Sequence, residues 1–215
     1  MNSVDFSHFK LACDRLPLIA ILRGIHPHEA EGVALTLYEQ GFRIIEVPLN
    51  SPDALNSLAR IRKCLPNDAV LGAGTVLHSS SVQQIAQAGG SLIVMPHNDP
   101  DVIRCARQAG MLCLAGAATP AEIFSAIAAG AHAVKLFPAE LVTPAVLNAV
   151  RAVLPPDLLL FPVGGITPSR MAEYQRNGAS GFGLGGALYK PGMSLAQVTE
   201  RAREFVAAWC ALQAQ

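Results

Sequence analysis

Charge is scarce in this 215-residue sequence, at 15% of residues, and it is balanced: Lys+Arg and Asp+Glu both number 16. No basic block or arm stands out. Aromatics are also few, at 6% with a single tryptophan, so no interleaved aromatic and basic surface points to nucleic acid. No apolar run reaches the length of a membrane span, and the opening residues MNSVDFSHFK carry no signal-peptide pattern. The five cysteines, Cys13, Cys64, Cys105, Cys113 and Cys210, are scattered and odd in number, with no C-x-x-C pair. They read as reduced core thiols of a cytoplasmic protein. No G-x-G-x-x-G follows the first apolar run, and neither G-x-S-x-G nor a Walker motif occurs. His26 and His28 are close in a loop ahead of a helical segment but lack a carboxylate or cysteine at ligand spacing. His97 and His132 have no third ligand, so no metal site is expected.

Hydrophobic residues, by contrast, make up 51% of the chain, enough for a sizeable core. They recur as eight short runs: LIAIL (18–22), FRIIEV (42–47), AVLGAG (69–74), SLIVM (91–95), MLCLAG (111–116), HAVKLF (132–137), LLLFPV (158–163) and SGFGLG (180–185). Segments of helical period separate them. Ser51-Pro52, Asp99-Pro100, Thr119-Pro120, Thr143-Pro144 and Thr167-Pro168 read as a capping residue followed by proline at the first helical position. Gly41, Gly89, Gly110, Gly130 and Gly178 stand where helices stop. Eight strand–helix units without a break in composition predict one parallel sheet under helices. At this length the pattern predicts a single (β/α)8 TIM barrel over residues 1–215, with DFSHFKLACDR as an extra N-terminal helix closing its bottom. An open doubly wound sheet is the alternative.

In such a barrel the reacting groups sit at the C-terminal ends of the strands. Few polar residues are available there: Arg23, Glu46, Thr75, His97, Asn98 and Lys135. Alternation puts Lys135 on the inner face with Ala133 and Phe137. Desolvation there lowers an ammonium's pKa and frees a nucleophilic amine, as a Schiff base requires. A lysine that snorkels to the rim or pairs with a carboxylate is the plainer reading. Glu46 shares a face with Ile44, and is either a structural partner of Lys135 or Arg23 or a general acid/base. The last two strands end in Gly164-Gly165 and Gly185-Gly186. Their N–H groups, with that of Ala187, suit a phosphate, unless the glycines serve only tight turns.

GFRIIEVPLNSP, LGAGTVL, AVKLFPAE, FPVGGITP and GFGLGGALY, in this order, resemble the class I aldolases that cleave 2-keto-3-deoxy-6-phospho-sugar acids. The resemblance spans about Leu16 to Gly192. It implies a cytoplasmic homotrimer that needs no metal, acting on a small phosphorylated keto acid to give pyruvate and D-glyceraldehyde 3-phosphate. Lys135 would form the imine and Glu46 would carry the proton. Arg23 would meet the substrate's carboxylate, with a rim salt bridge to Glu46 as its plainer role. Thr75 would bond the carboxylate or imine region, or else cap the next helix. Pro96 and Phe137 would wall the imine from water, or else serve as plain packing. Gluconate-cleaving members usually carry arginine and threonine at Asn50 and Ser51, and threonine at Val163. These departures favour the galactonate epimer and D-galactonate catabolism. The alternatives are an aldolase of the 2-dehydro-3-deoxy-6-phosphogluconate or 4-hydroxy-2-oxoglutarate type, a phosphosugar isomerase or epimerase using Glu46 without a Schiff base, and a non-catalytic phosphate binder.

Overall fold

The computed structural model describes residues 6–214. Met1 to Asp5, including the first residue of the expected N-terminal helix and half of the MNSVDFSHFK stretch, lie outside the described residues. Eight strands form one parallel sheet: β1 (Leu18–Ile21), β2 (Ile44–Pro48), β3 (Val70–Gly74), β4 (Leu92–Val94), β5 (Leu112–Ala117), β6 (Ala133–Leu136), β7 (Leu159–Pro162) and β8 (Phe182–Leu184). Each neighbours the next in sequence, and β1 also pairs with β8 through Leu18–Phe182, Ile19–Gly183 and Ala20–Leu184. The last joint is looser. A single bridge, Val163 to Gly183, links β7 to β8, helped by Ser180, whose N–H donates to Leu160 O at 2.9 Å and whose hydroxyl accepts from Leu160 N–H at 3.0 Å. The sheet is therefore a nearly closed TIM-type barrel and not an open doubly wound sheet.

Alternation sorts the side chains into two layers. Ile19, Ile44, Val70, Leu92, Leu112, Ala133 and Phe161 point inward and fill the barrel. Ala20, Ile45, Leu71, Ile93, Cys113, Val134 and Leu160 point outward under the helices. Those helices are α2 (Pro27–Glu39), α3 (Ala54–Cys64), α4 (Ser80–Gln87), α5 (Pro100–Gln108), α6 (Pro120–Ala129), α7 (Pro144–Arg151), α8 (Pro168–Arg176) and the longer α9 (Leu195–Gln213). The expected extra helix is α1 (Phe6–Arg15). It plugs the bottom: Phe9 is fully buried among the inner residues, its ring centroid 6.1 Å from that of Phe161.

Helix starts follow the capping chemistry in most places. Asp99, Thr119 and Thr143 accept backbone N–H bonds from their helices, with proline at the first position. Three expectations need correction. Ser51-Pro52 does not open α3, whose N-cap is Asp53 with φ 45°; the Ser51 hydroxyl is engaged elsewhere. His26 and His28 are not both in a loop, since His26 is the N-cap of α2 and His28 lies in its first turn. The cysteines are all free, but only Cys13 and Cys113 are core thiols; Cys64 and Cys105 are half-buried and Cys210 is exposed. Among the described residues no helix is long and apolar enough to cross a membrane.

Candidate active site

At the mouth of the barrel glycine stands where inward side chains would be, and this leaves room for neighbouring groups. A Cβ at Gly74 would lie 2.0 Å from Glu46 Oε2, and one at Gly116 would lie 2.3 Å from the Pro96 carbonyl carbon. Gly116 is the β5 residue in register with Lys135. Into this space project the two charged inner residues.

Lys135 is 3% exposed, with Ala133 beneath it in the inner layer. Its Nζ stands 5.1 Å from the centroid of the Phe137 ring. Among the described residues no carboxylate forms a close ion pair with it, so the lysine neither snorkels nor sits in a resting salt bridge. Burial holds its pKa below the ordinary 10.5, Glu46 opposes this, and Arg23 adds to it.

Glu46 is 1% exposed, and its Oε2 has no hydrogen-bond partner among the described residues. Leaving a buried acceptor unmet costs about 1–3 kcal/mol, so such an atom calls for an explanation. Burial raises the Glu46 pKa from 4.5 to about 7, against the opposing pull of Lys135, Arg23 and the Gly74 N–H. The rim salt bridge between Arg23 and Glu46 is not formed. Arg23 is exposed at the end of β1 and donates instead to Asn50 Oδ1 at 3.0 Å.

The remaining candidates divide. Thr75 has φ 53°, an outlier for a β-branched residue that commonly marks a functional position. It does not cap α4, which starts at Ser80 behind Ser79. Pro96 and Phe137, both half-buried, flank Gly116 and Lys135. His97 is exposed, and Asn98 donates to the Glu122 carbonyl of α6 at 2.7 Å. Val163 is buried at the end of β7; its Cγ2 lies 2.5 Å from where a Cβ of Gly183 would be, so its side chain lies over the inner face of β8.

The two glycine pairs are unlike each other. Gly164 and Gly165 have φ of 116° and 56°, so the turn after β7 does require glycine. Gly185 and Gly186 need no such conformation. A Cβ at Gly185 would meet nothing within 4 Å, and one at Gly186 only Lys190 Cε, at 3.7 Å. Among the described residues no neighbour explains glycine there, and the space beside it is open. Leu188 and Tyr189 N–H bond back to Gly185 O, making a single turn that starts at the Gly186 and Ala187 positions.

Sequence reading passed over two charged residues here. The Glu140 carboxylate stands over Gly164, 2.5 Å from a Cβ position there. Lys190 reaches Gly186 and has no ion pair among the described residues. Both follow glycine or proline turns with no periodic signal. A separate cleft of about 580 Å3 at the opposite end, lined by Pro17, Leu159, Trp209 and Cys210 among others, touches none of the mouth residues. Among the described residues no three His, Cys, Asp or Glu side chains cluster as a metal site.

The family described as KDPG and KHG aldolase matches residues 10–202. A protein of Rhizobium meliloti (strain 1021), named probable 2-dehydro-3-deoxy-6-phosphogalactonate aldolase, is 48% identical over 91% of this chain and 92% of its own. One of Escherichia coli (strain K12), named 2-dehydro-3-deoxy-6-phosphogalactonate aldolase, is 43% identical over 91% of this chain and 95% of its own. A solved structure described as native KDPGal superposes with a TM-score of 0.91 at 41% identity, covering 94% of this chain and 98% of that one.

Proposed function

The chain belongs to the KDPG and KHG aldolase family, and we propose on that premise that it cleaves 2-dehydro-3-deoxy-6-phospho-D-galactonate to pyruvate and D-glyceraldehyde 3-phosphate. The observation that carries the chemistry is a buried lysine without an ion pair beside a buried carboxylate with an unmet oxygen. Neutral Lys135 attacks the C2 carbonyl, and loss of water leaves an iminium. Glu46 takes the C4 hydroxyl proton through a water, the C3–C4 bond breaks, and the aldehyde leaves. The bonding pair becomes an enamine, which Glu46 protonates at C3; hydrolysis releases pyruvate and frees Lys135. A carboxyl group titrating near neutrality is suited to both accept and return a proton.

Arg23 and Thr75 receive the substrate's carboxylate end, and Pro96 and Phe137 keep the imine dry. The N–H groups of Gly164, Gly165, Gly185, Gly186 and Ala187 take the phosphate, with Lys190 as a nearby counter-charge. Val163 faces C4. The family resemblance further supports one aldolase domain over residues 1–215, a cytoplasmic homotrimer, and chemistry without a metal.

Borohydride reduction in the presence of pyruvate tests the nucleophile. The wild type should be trapped as a secondary amine at Lys135, and Lys135→Met should lose both trapping and cleavage while staying folded. Trapping at another lysine would overturn the assignment. No trapping in the wild type, with turnover of a phosphosugar, would favour the isomerase alternative.

A further inference from the structure

Two hydrogen bonds join neighbouring loops at the mouth, and both end on the β2–α3 loop. Arg23 NH1 donates to Asn50 Oδ1 at 3.0 Å, and Gly24 N–H donates to the Ser51 hydroxyl at 2.9 Å. Ser51 is buried, at 7% exposure, although serine ordinarily favours the surface. From the other side Pro191 closes on the same turn. Gly24 has φ 80°, and a Cβ there would lie 2.8 Å from Pro191 Cγ. The two-residue turn Arg23-Gly24 is thus held between the loops that follow β2 and β8, the strands on either side of β1.

An exposed arginine left alone samples many rotamers, and ordering it on binding weakens affinity. Here one N–H is spent on a neutral amide oxygen. This fixes the guanidinium without neutralising it and leaves its other donors free. A carboxylate at position 50 would have fixed it more strongly but cancelled its charge.

We infer that Asn50 and Ser51 are positioning residues that hold Arg23 over the barrel mouth as a preformed docking cation for the carboxylate end of the keto acid. The inference rests on the proposed docking role of Arg23, and its test keeps the two apart. Arg23→Met, Asn50→Ala and the double variant are compared for cleavage and for the pyruvate concentration that half-saturates borohydride trapping. Pyruvate carries the carboxylate but no phosphate.

Arg23→Met should raise KM and the half-saturating pyruvate concentration at least tenfold. Asn50→Ala should raise both about three- to tenfold with a smaller change in kcat, as expected for loss of one hydrogen bond. The double variant should be no worse than Arg23→Met, because Asn50 acts only through Arg23. Ser51→Ala should resemble Asn50→Ala, and Ser51→Thr, which keeps an acceptor for Gly24, should restore most of the loss. If Arg23→Met leaves both constants unchanged, the docking role itself is wrong and the inference falls with it. If Arg23→Met matters but Asn50→Ala is silent, or the two effects multiply in the double variant, the docking role stands and the positioning role is overturned.

Discussion

Glu46 is an acid kept where its ionised form is penalised, and this makes a residue-scale claim about stability. Its folded pKa, about 7, exceeds its ordinary 4.5. Below about pH 4.5 the group is protonated in both the folded and unfolded states and adds nothing. Through the window from 4.5 to 7 the unfolded chain gives up its proton first, so stability falls as pH rises. Above 7 the cost is fully present, about 3 kcal/mol for a shift of this size. Glu46→Gln should therefore be more stable than the wild type at pH 8, by urea unfolding, and no more stable at pH 4. The same substitution should slow cleavage by about 10²–10⁴ while sparing imine formation with pyruvate. Equal stability at pH 8 would mean that the carboxylate is better solvated than its burial indicates. Val163 supports a second residue-scale prediction. Its side chain lies over the inner face of β8 at the mouth, and threonine there would replace a methyl by a hydroxyl able to bond one C4 epimer. Such a contact is worth about 0.5–1.5 kcal/mol, or roughly three- to tenfold in specificity. Val163→Thr should shift the ratio of kcat/KM values toward the gluconate epimer by that factor, measured with both substrates side by side. An unchanged ratio would show that Val163 does not read C4.

At the scale of elements, the loops after β7 and β8 look alike in sequence and differ in structure. Gly164 is bound to its conformation by φ 116° and by the Glu140 carboxylate over it; Gly185 and Gly186 are free of both constraints. Gly164→Ala should destabilise the protein by about 1–3 kcal/mol. Gly185→Ala and Gly186→Ala should leave the melting temperature unchanged and raise KM for the phosphorylated substrate by about 10–100-fold, the loss of one or two charge-assisted contacts. Melting curves and kinetics on the three variants check this; a fallen melting temperature for Gly186→Ala would return that glycine to a folding role. The contrast also shows where sequence reading reaches its end. Strands were legible as short unbroken apolar runs because both faces of the sheet are buried, as they are throughout β1, β3 and β5. Asp99, Thr119 and Thr143 announced their helices because a short polar side chain followed by proline satisfies the first turn locally. Ser51-Pro52 has the same local form but fails, since the Ser51 hydroxyl is drawn to Gly24, 27 positions away. The Arg23–Asn50 bond, the reach of Lys190 to Gly186 and the stand of Glu140 over Gly164 are likewise contacts between loops. No period or cap encodes them. Lys135 and Glu46 were legible for the opposite reason: each breaks an apolar period at a position whose direction the period itself fixes.

Across the whole molecule the two ends of the barrel do different work. At the mouth, glycines remove side chains and two charged groups are buried at a cost. At the bottom, cohesion is concentrated. Phe9 of α1 fills the barrel's lower layer against Phe161. Beside it Asp68 accepts from Tyr38 OH at 2.7 Å, Arg43 Nε at 2.9 Å and Arg15 NH1 at 3.0 Å, tying α1, α2 and the start of β2 together. Lys135 lies on the same inner face but one layer higher, with Ala133 between it and the bottom. Close packing transmits strain over a contact or two, yet a cavity at Phe9 is separated from the reacting groups by that layer. Phe9→Ala should therefore cost about 3–5 kcal/mol and lower the melting temperature by about 2–4 °C for each kcal/mol in a chain of this size. Well below that transition, kcat and KM should change by less than about twofold, since neither the charges at the mouth nor the loops that hold them have moved. Thermal unfolding and kinetics on one preparation decide it. A large loss of kcat in folded Phe9→Ala would show that the plug sets the geometry of Lys135 through the inner layers, and that the two ends are a single coupled unit.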